Sequence, residues 1–113
     1  MHRIGRQVAG FFQRYDVLVS PTMCKPPHPL GVLDMSAPDL DAHLAAVFAS
    51  IGFTSLFNSA GNPAMSVPLA TSSAGLPLSV QFAGRFGDEA TLFRLAAQLE
   101  AAQPWARRRH LRA

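Results

Sequence analysis

The sequence predicts a small α/β domain of about three strands with flanking helices. Three observations lead there. Apolar residues recur at helical spacing near both ends and in the middle of the chain, short apolar or alternating runs read as strands, and Gly/Pro clusters punctuate the boundaries between them. Hydrophobic residues make up 49% of the chain and charged residues 15%, a balance that suits a buried core and argues against disorder. At 113 residues the chain has room for one modest domain, taken as 1–113.

Ile4, Val8, Phe11, Phe12 and Tyr15 recur among Arg and Gln residues, the pattern of an amphipathic helix that begins almost at Met1. Asp16-Val17-Leu18-Val19-Ser20 is a short apolar run stopped by Pro21, which reads as a fully buried strand of the parallel-sheet type. Residues 21–38 hold too many prolines for helix or ladder and are expected to form an extended loop. Asp39 or Ser36 is placed to cap a helix with Leu40, Leu44, Val47, Phe48 and Ile51 on one face, closed by Gly52, and a short helical piece at 54–60 follows. Gly61-Asn62-Pro63 marks a turn into a strand at 64–69, whose Pro68 calls for an edge or a bulge. Leu78, Val80 and Phe82 alternate with polar or small residues, so 64–82 is expected to form a hairpin with a long turn at 71–75. Asp88 caps the last helix, which carries Leu92, Leu95 and Leu99 on one face and stops before Pro104.

The net charge of +3 invites a nucleic-acid reading, but its location counts against one. Arg3, Arg6 and Arg14 lie at the front and Arg107, Arg108, Arg109 and Arg112 at the back, whereas between them Lys25, Arg85 and Arg94 are outnumbered by seven acids. Basic ends on an acidic body read as a solvated helix face and a tail, so no nucleic-acid partner is expected. No apolar run approaches the ~20 residues that span a bilayer, so no membrane partner is expected either. The single cysteine, Cys24, forms no intrachain disulfide and suits a reducing, cytoplasmic setting. His2, His43 and His110 lack metal-ligand spacing, and neither a metal nor another cofactor is expected.

Four strings carry a resemblance. They are Tyr15-Asp16-Val17-Leu18-Val19-Ser20-Pro21-Thr22, the run from Phe53 to Pro68 centred on Asn58-Ser59-Ala60-Gly61-Asn62-Pro63, the run from Gly75 to Leu92, and Pro104-Trp105. In this order and spacing they resemble the C-terminal third of amidase-signature enzymes, nearest to bacterial amidases of the cyclic-dimer hydrolase kind. The resemblance implies the C-terminal part of the amidase-signature mixed-sheet fold and a parent activity of hydrolysing amide bonds in a small-molecule substrate. It also implies that the nucleophilic serine, the second serine and the lysine base of that family lie upstream of the matched stretch. This sequence departs from the pattern in having neither a Gly-Ser-Ser-Gly string nor a lysine other than Lys25. The chain alone is therefore expected not to turn over amides, and a separate N-terminal amidase portion is the partner it implies.

Candidate residues follow from these placements. Thr22 and Cys24, just beyond the end of the first strand, and Phe57 with Asn58 are the expected substrate-binding residues. Gly61, Pro63, Gly84 and Gly87 are expected to serve turns, through left-handed backbone, restricted backbone or close approach. Ser72-Ser73 resembles a catalytic serine pair but falls in the hairpin link, where small polar residues shape turns. Cys24 and His28 are separated by prolines that hold the chain extended, which argues against a nucleophile–base pair. Two other classes of function stand beside amide hydrolysis: a non-catalytic complementing subunit or binding module, and a nucleic-acid binder working through Arg107-Arg108-Arg109 and the first helix.

Overall fold

The computed structural model describes residues 2–105; Met1 and the tail with Arg107–Arg109, His110 and Arg112 lie outside the described residues. Seven elements follow one another: α1 (His2–Phe11), β1 (Leu18–Pro21), α2 (Leu40–Ile51), α3 (Thr54–Ala60), β2 (Ala64–Thr71), β3 (Pro77–Ala83) and α4 (Glu89–Ala102). The α/β class, the strand count and the element order agree with the sequence reading. Helix α1 ends sooner than its apolar periodicity suggests, and Tyr15 lies beyond it, stacked on Phe11 with ring centroids 4.6 Å apart.

The capping chemistry sets the other boundaries. Asp39 accepts from the Ala42 amide at 3.0 Å and opens α2, while Ser36 instead bonds to Asp34. Asp88 does the same for α4 through the Thr91 amide and hydroxyl. Gly61 closes α3 in the left-handed region, φ 77°, and its amide donates to the Phe57 carbonyl at 2.8 Å.

The strands form one sheet in the order β1-β3-β2, and both pairings are antiparallel. This corrects the expectation of a buried parallel-type strand at 16–20. A four-residue apolar run does not encode the direction of its neighbour; here that neighbour is β3, which runs opposite, and Val19 is left 60% exposed. The β2–β3 register shifts between Val67 and Ala70, so Pro68 sits at a bulge on an edge strand, where its missing amide costs no ladder bond. The hairpin link is a turn in which the Gly75 amide donates to the Ser72 carbonyl and the Leu76 amide to the Ser72 hydroxyl.

Strand alternation sends one set of side chains to each face. Ala83 and Leu18 meet Val8, Phe12, Phe57 and Ala60, which seats α1 and α3 on one side. Phe82, Val67 and Val80 meet Leu92, Leu95, Leu99 and Trp105, which seats α4 on the other. Burying aromatic side chains such as Phe12 and Phe57 contributes roughly 1.5–3 kcal/mol each. No helix among the described residues is by itself long and apolar enough to cross a membrane.

Candidate functional site

On the face shared with α1 and α3, one row of the sheet is polar. The register aligns Ser20, Gln81 and Ser66 across all three strands, and Ser20 and Gln81 are buried. Gln81 donates from Nε2 to Ser20 Oγ at 3.3 Å, and Thr22 Oγ1 lies 2.8 Å from Ser66 Oγ. Ser20 and Gln81 are buried and spend their polar groups on each other, so this part of the row braces the sheet, while Ser66 at its end is exposed.

The loop after β1 continues the row. The Thr22 amide donates to the Ser79 carbonyl at 3.2 Å, extending the ladder by one residue before Pro26 and Pro27 turn the chain away. Residues 21–27 and 77–79 line a cleft of about 390 Å³ that contains Thr22, Cys24 and Lys25. Lys25 is exposed on its wall.

What holds this loop is a contact the sequence reading did not anticipate. Ser50, 1% exposed near the end of α2, donates its hydroxyl to the Ala46 carbonyl at 2.8 Å and lies 2.7 Å from His28 Nε2. With the Ser50 proton directed at Ala46, Nε2 of His28 is the donor in that pair. A serine–histidine nucleophile needs the opposite polarity and an accessible oxygen, so this pair is a clamp. The Cys24 amide also donates to the Ser50 carbonyl at 3.1 Å. Cys24 and His28 thus meet the same residue without meeting each other, which fits the extended proline segment between them. Gly52, at φ 57°, allows the approach: a Cβ there would sit 2.5 Å from Cys24 Sγ. Small residues spaced along α2 were the only sequence signal for this docking.

The four expected substrate-binding residues are not gathered in one place. Thr22 and Cys24 share the cleft just described, although not for the reason first given, since the strand before them is antiparallel to its neighbour. Phe57 is buried against Val8, Phe12 and Ala83. Asn58 lines a separate cleft of about 500 Å³ with Gly5, Arg6, Gly61 and Phe86. Gly61, Pro63, Gly84 and Gly87 form the turns at the end of the sheet: the Gly84 amide donates to the Pro63 carbonyl, Asn62 Nδ2 donates to the Gly84 carbonyl, and Gly87 has φ 75°. A Cβ on Gly84 would press on Leu92 at 3.4 Å, so helix α4 packs close because this residue is small.

Perturbed acids lie away from the cleft. Asp34 is held below the usual carboxylate range by the Ser36 amide and hydroxyl, and Asp88 by the Thr91 hydroxyl. Among the described residues no three His, Cys, Asp or Glu side chains gather around a point that one ion could occupy.

Known proteins resemble this chain over more than nine-tenths of its length. A Mycobacterium leprae (strain TN) protein named "Putative amidase AmiC" is 40% identical over 107 residues, 95% of this chain and 22% of that protein. A 6-aminohexanoate-cyclic-dimer hydrolase of Pseudomonas sp. (strain NK87) is 38% identical over 114 residues, 92% of this chain and 23% of that protein. A solved structure of 6-aminohexanoate cyclic dimer hydrolase superposes with a TM-score of 0.82 at 34% identity, covering 93% of this chain and 23% of that one. The chain therefore spans less than a quarter of the length of the relatives it matches. The family model described as Amidase matches residues 1–93, and the chain belongs to that family.

Proposed function

We propose that this chain serves as the C-terminal segment of an amide hydrolase, supplying sheet and one wall of the substrate cleft, while the catalytic serines and lysine come from a portion outside it. The observation that carries the reading is the 0.82 superposition over 93% of this chain on less than a quarter of a hydrolase. Thr22 and Cys24 beside the polar row of Ser20, Gln81 and Ser66 form the substrate wall, and a small amide is the ligand. Phe57 acts through the core that supports the sheet, and Asn58 through the cleft at the α1–α3 side. The chain alone is inert toward amides, because its serine–histidine contact is a buried clamp and its single lysine stands on a loop. A cytoplasmic setting keeps the exposed Cys24 thiol reduced.

The test is hydrolysis of simple amides and of 6-aminohexanoate cyclic dimer by the chain alone and by the chain mixed with a family amidase truncated before the matching segment. Hydrolysis only in the mixture supports the reading. Hydrolysis by the chain alone refutes it, and silence in both removes the complementing role.

A further inference from the structure

Three clefts of this chain each carry one basic side chain on their wall, and only Lys25 stands there without a counterpart. Arg85, beside a cleft of about 360 Å³, donates to Asp16 at 2.6 Å and to the Phe12 carbonyl at 3.0 Å. Arg6 lines the cleft of about 500 Å³ with Asn58, Ser59 and Ala60, the last turn of α3, and the carbonyl end of a helix attracts a cation. Lys25, on the cleft of about 390 Å³, has neither kind of partner: among the described residues it makes no ion pair, and no Asp or Glu lines its cleft. The end of α2 lies against its neighbour Cys24, but the carbonyls there are taken. Ser50 accepts from the Cys24 amide at 3.1 Å, and Ile51 from the Thr54 hydroxyl at 3.0 Å.

The rest of the cleft indicates which anion suits this cation. Pro21, Met23, Pro26, Pro27, Pro77 and Leu78 make its lining largely apolar. At the sheet end stands the Thr22 hydroxyl, with that of Ser66 2.8 Å away. Two hydroxyls that share one proton keep a second proton and free lone pairs, enough to donate to a carboxamide oxygen and to accept from its N–H. Thr22 and Lys25 are three residues apart, so their α-carbons lie within ~10 Å of each other. A phosphate dianion calls for several converging donors, whereas one ammonium on an apolar wall suits a singly charged carboxylate.

We infer that Lys25 is a specificity-determining residue, and that the substrate is an aliphatic amide ending in a carboxylate, its carboxamide at Thr22 and its carboxylate at Lys25. This rests on the proposed role as an amidase segment and goes beyond it, to which amides that segment selects. The alkyl chain between the two ends lies against Met23 and Leu78 and gives up apolar surface to them. A substrate with an uncharged end gains the same apolar contact and nothing from the ammonium.

Adipamate and adipamide test this, since they differ only by a carboxylate in place of one carboxamide. Each is titrated into the full chain at low ionic strength while the backbone amide NMR signals of Thr22, Lys25 and Leu78 are followed. Adipamate binds at least about 3-fold more tightly than adipamide, the scale of an exposed ion pair. Lys25→Gln abolishes the difference and Lys25→Arg keeps it; because Lys25 is exposed, neither change disturbs the core. The same pair is then offered as substrates to the chain mixed with 6-aminohexanoate-cyclic-dimer hydrolase truncated before its matching segment. There Lys25→Gln raises KM for adipamate at least about 3-fold and leaves kcat and the adipamide kinetics unchanged.

Equal binding of the two amides, a preference that survives Lys25→Gln, or adipamate shifts that appear around Arg6 instead overturns the inference. So does displacement of adipamate by inorganic phosphate at lower concentration, which assigns the cation to a phosphate. A Lys25-dependent preference in binding without hydrolysis by the mixture sinks the proposed function and leaves the carboxylate subsite standing; hydrolysis of both amides with the same KM in wild type and Lys25→Gln does the reverse.

Discussion

Substituting Gly52 by alanine tests how the cleft loop is held. The backbone at Gly52, φ 57° and ψ −117°, is sparsely populated by residues with a Cβ, and holding alanine there costs about 1–3 kcal/mol. The new Cβ also falls 2.5 Å from Cys24 Sγ, about 1 Å inside ordinary contact. Forced displacement of a packed side chain costs a further ~1–3 kcal/mol. Gly52→Ala is therefore expected to destabilise by about 2–6 kcal/mol, and at roughly 4–8 °C per kcal/mol the melting temperature falls by at least about 8 °C.

The two contributions separate in a cycle. Cys24→Ala removes Sγ and makes the residue 24 amide nitrogen and Cβ, at 3.6 and 3.7 Å, the nearest atoms, both ordinary contacts. In that background Gly52→Ala should cost only the backbone part, about 1–3 kcal/mol, giving a coupling of ~1–3 kcal/mol. Urea unfolding followed by Trp105 fluorescence reads all four variants, since Trp105 packs on the core cluster of Val67, Phe82 and Leu92. Equal costs of Gly52→Ala with and without the thiol would refute the packing of Cys24 on this glycine.

Two further perturbations follow from the same structure. Ser50→Ala should lower stability by about 1–2 kcal/mol and remove the hydrogen-bonded Nε2 proton of His28 from NMR spectra. Hydrolysis by the complemented assembly should change less than about 10-fold, whereas loss of a general base costs ~10²–10⁴-fold. Asp88, held below its ordinary value chiefly by the Thr91 hydroxyl, contributes stability that is fully present above the ordinary carboxylate pKa and is lost as pH falls through the lowered folded value. Asp88→Asn keeps a good cap but should flatten the acid side of a stability-versus-pH titration, and an unaltered acid limb would rule the contribution out.

Much of the local structure is legible along the chain. Asp39 and Asp88 start helices because a carboxylate can reach an amide three residues on, and Gly52 and Gly61 end them because they tolerate positive φ. Pro68 announces a bulge and Ser72 to Gly75 a turn for equally local reasons. The four strings that resemble amidases run through these same positions, so family membership was legible as well.

The candidate site was not, apart from Thr22 and Cys24. The row of Ser20, Gln81 and Ser66 joins residues 61 positions apart, and only strand order and register bring them level. Ser50 and His28 meet because a proline-rich loop folds back on α2, and no periodicity reports that. Direction of β1 and exposure of α2 fall in the same class. An apolar run states that a surface needs cover, from side chains alone, whereas what covers it depends on which polypeptide arrives beside it in three dimensions; for Val19, Leu44 and Phe48, the described chain does not supply that neighbour.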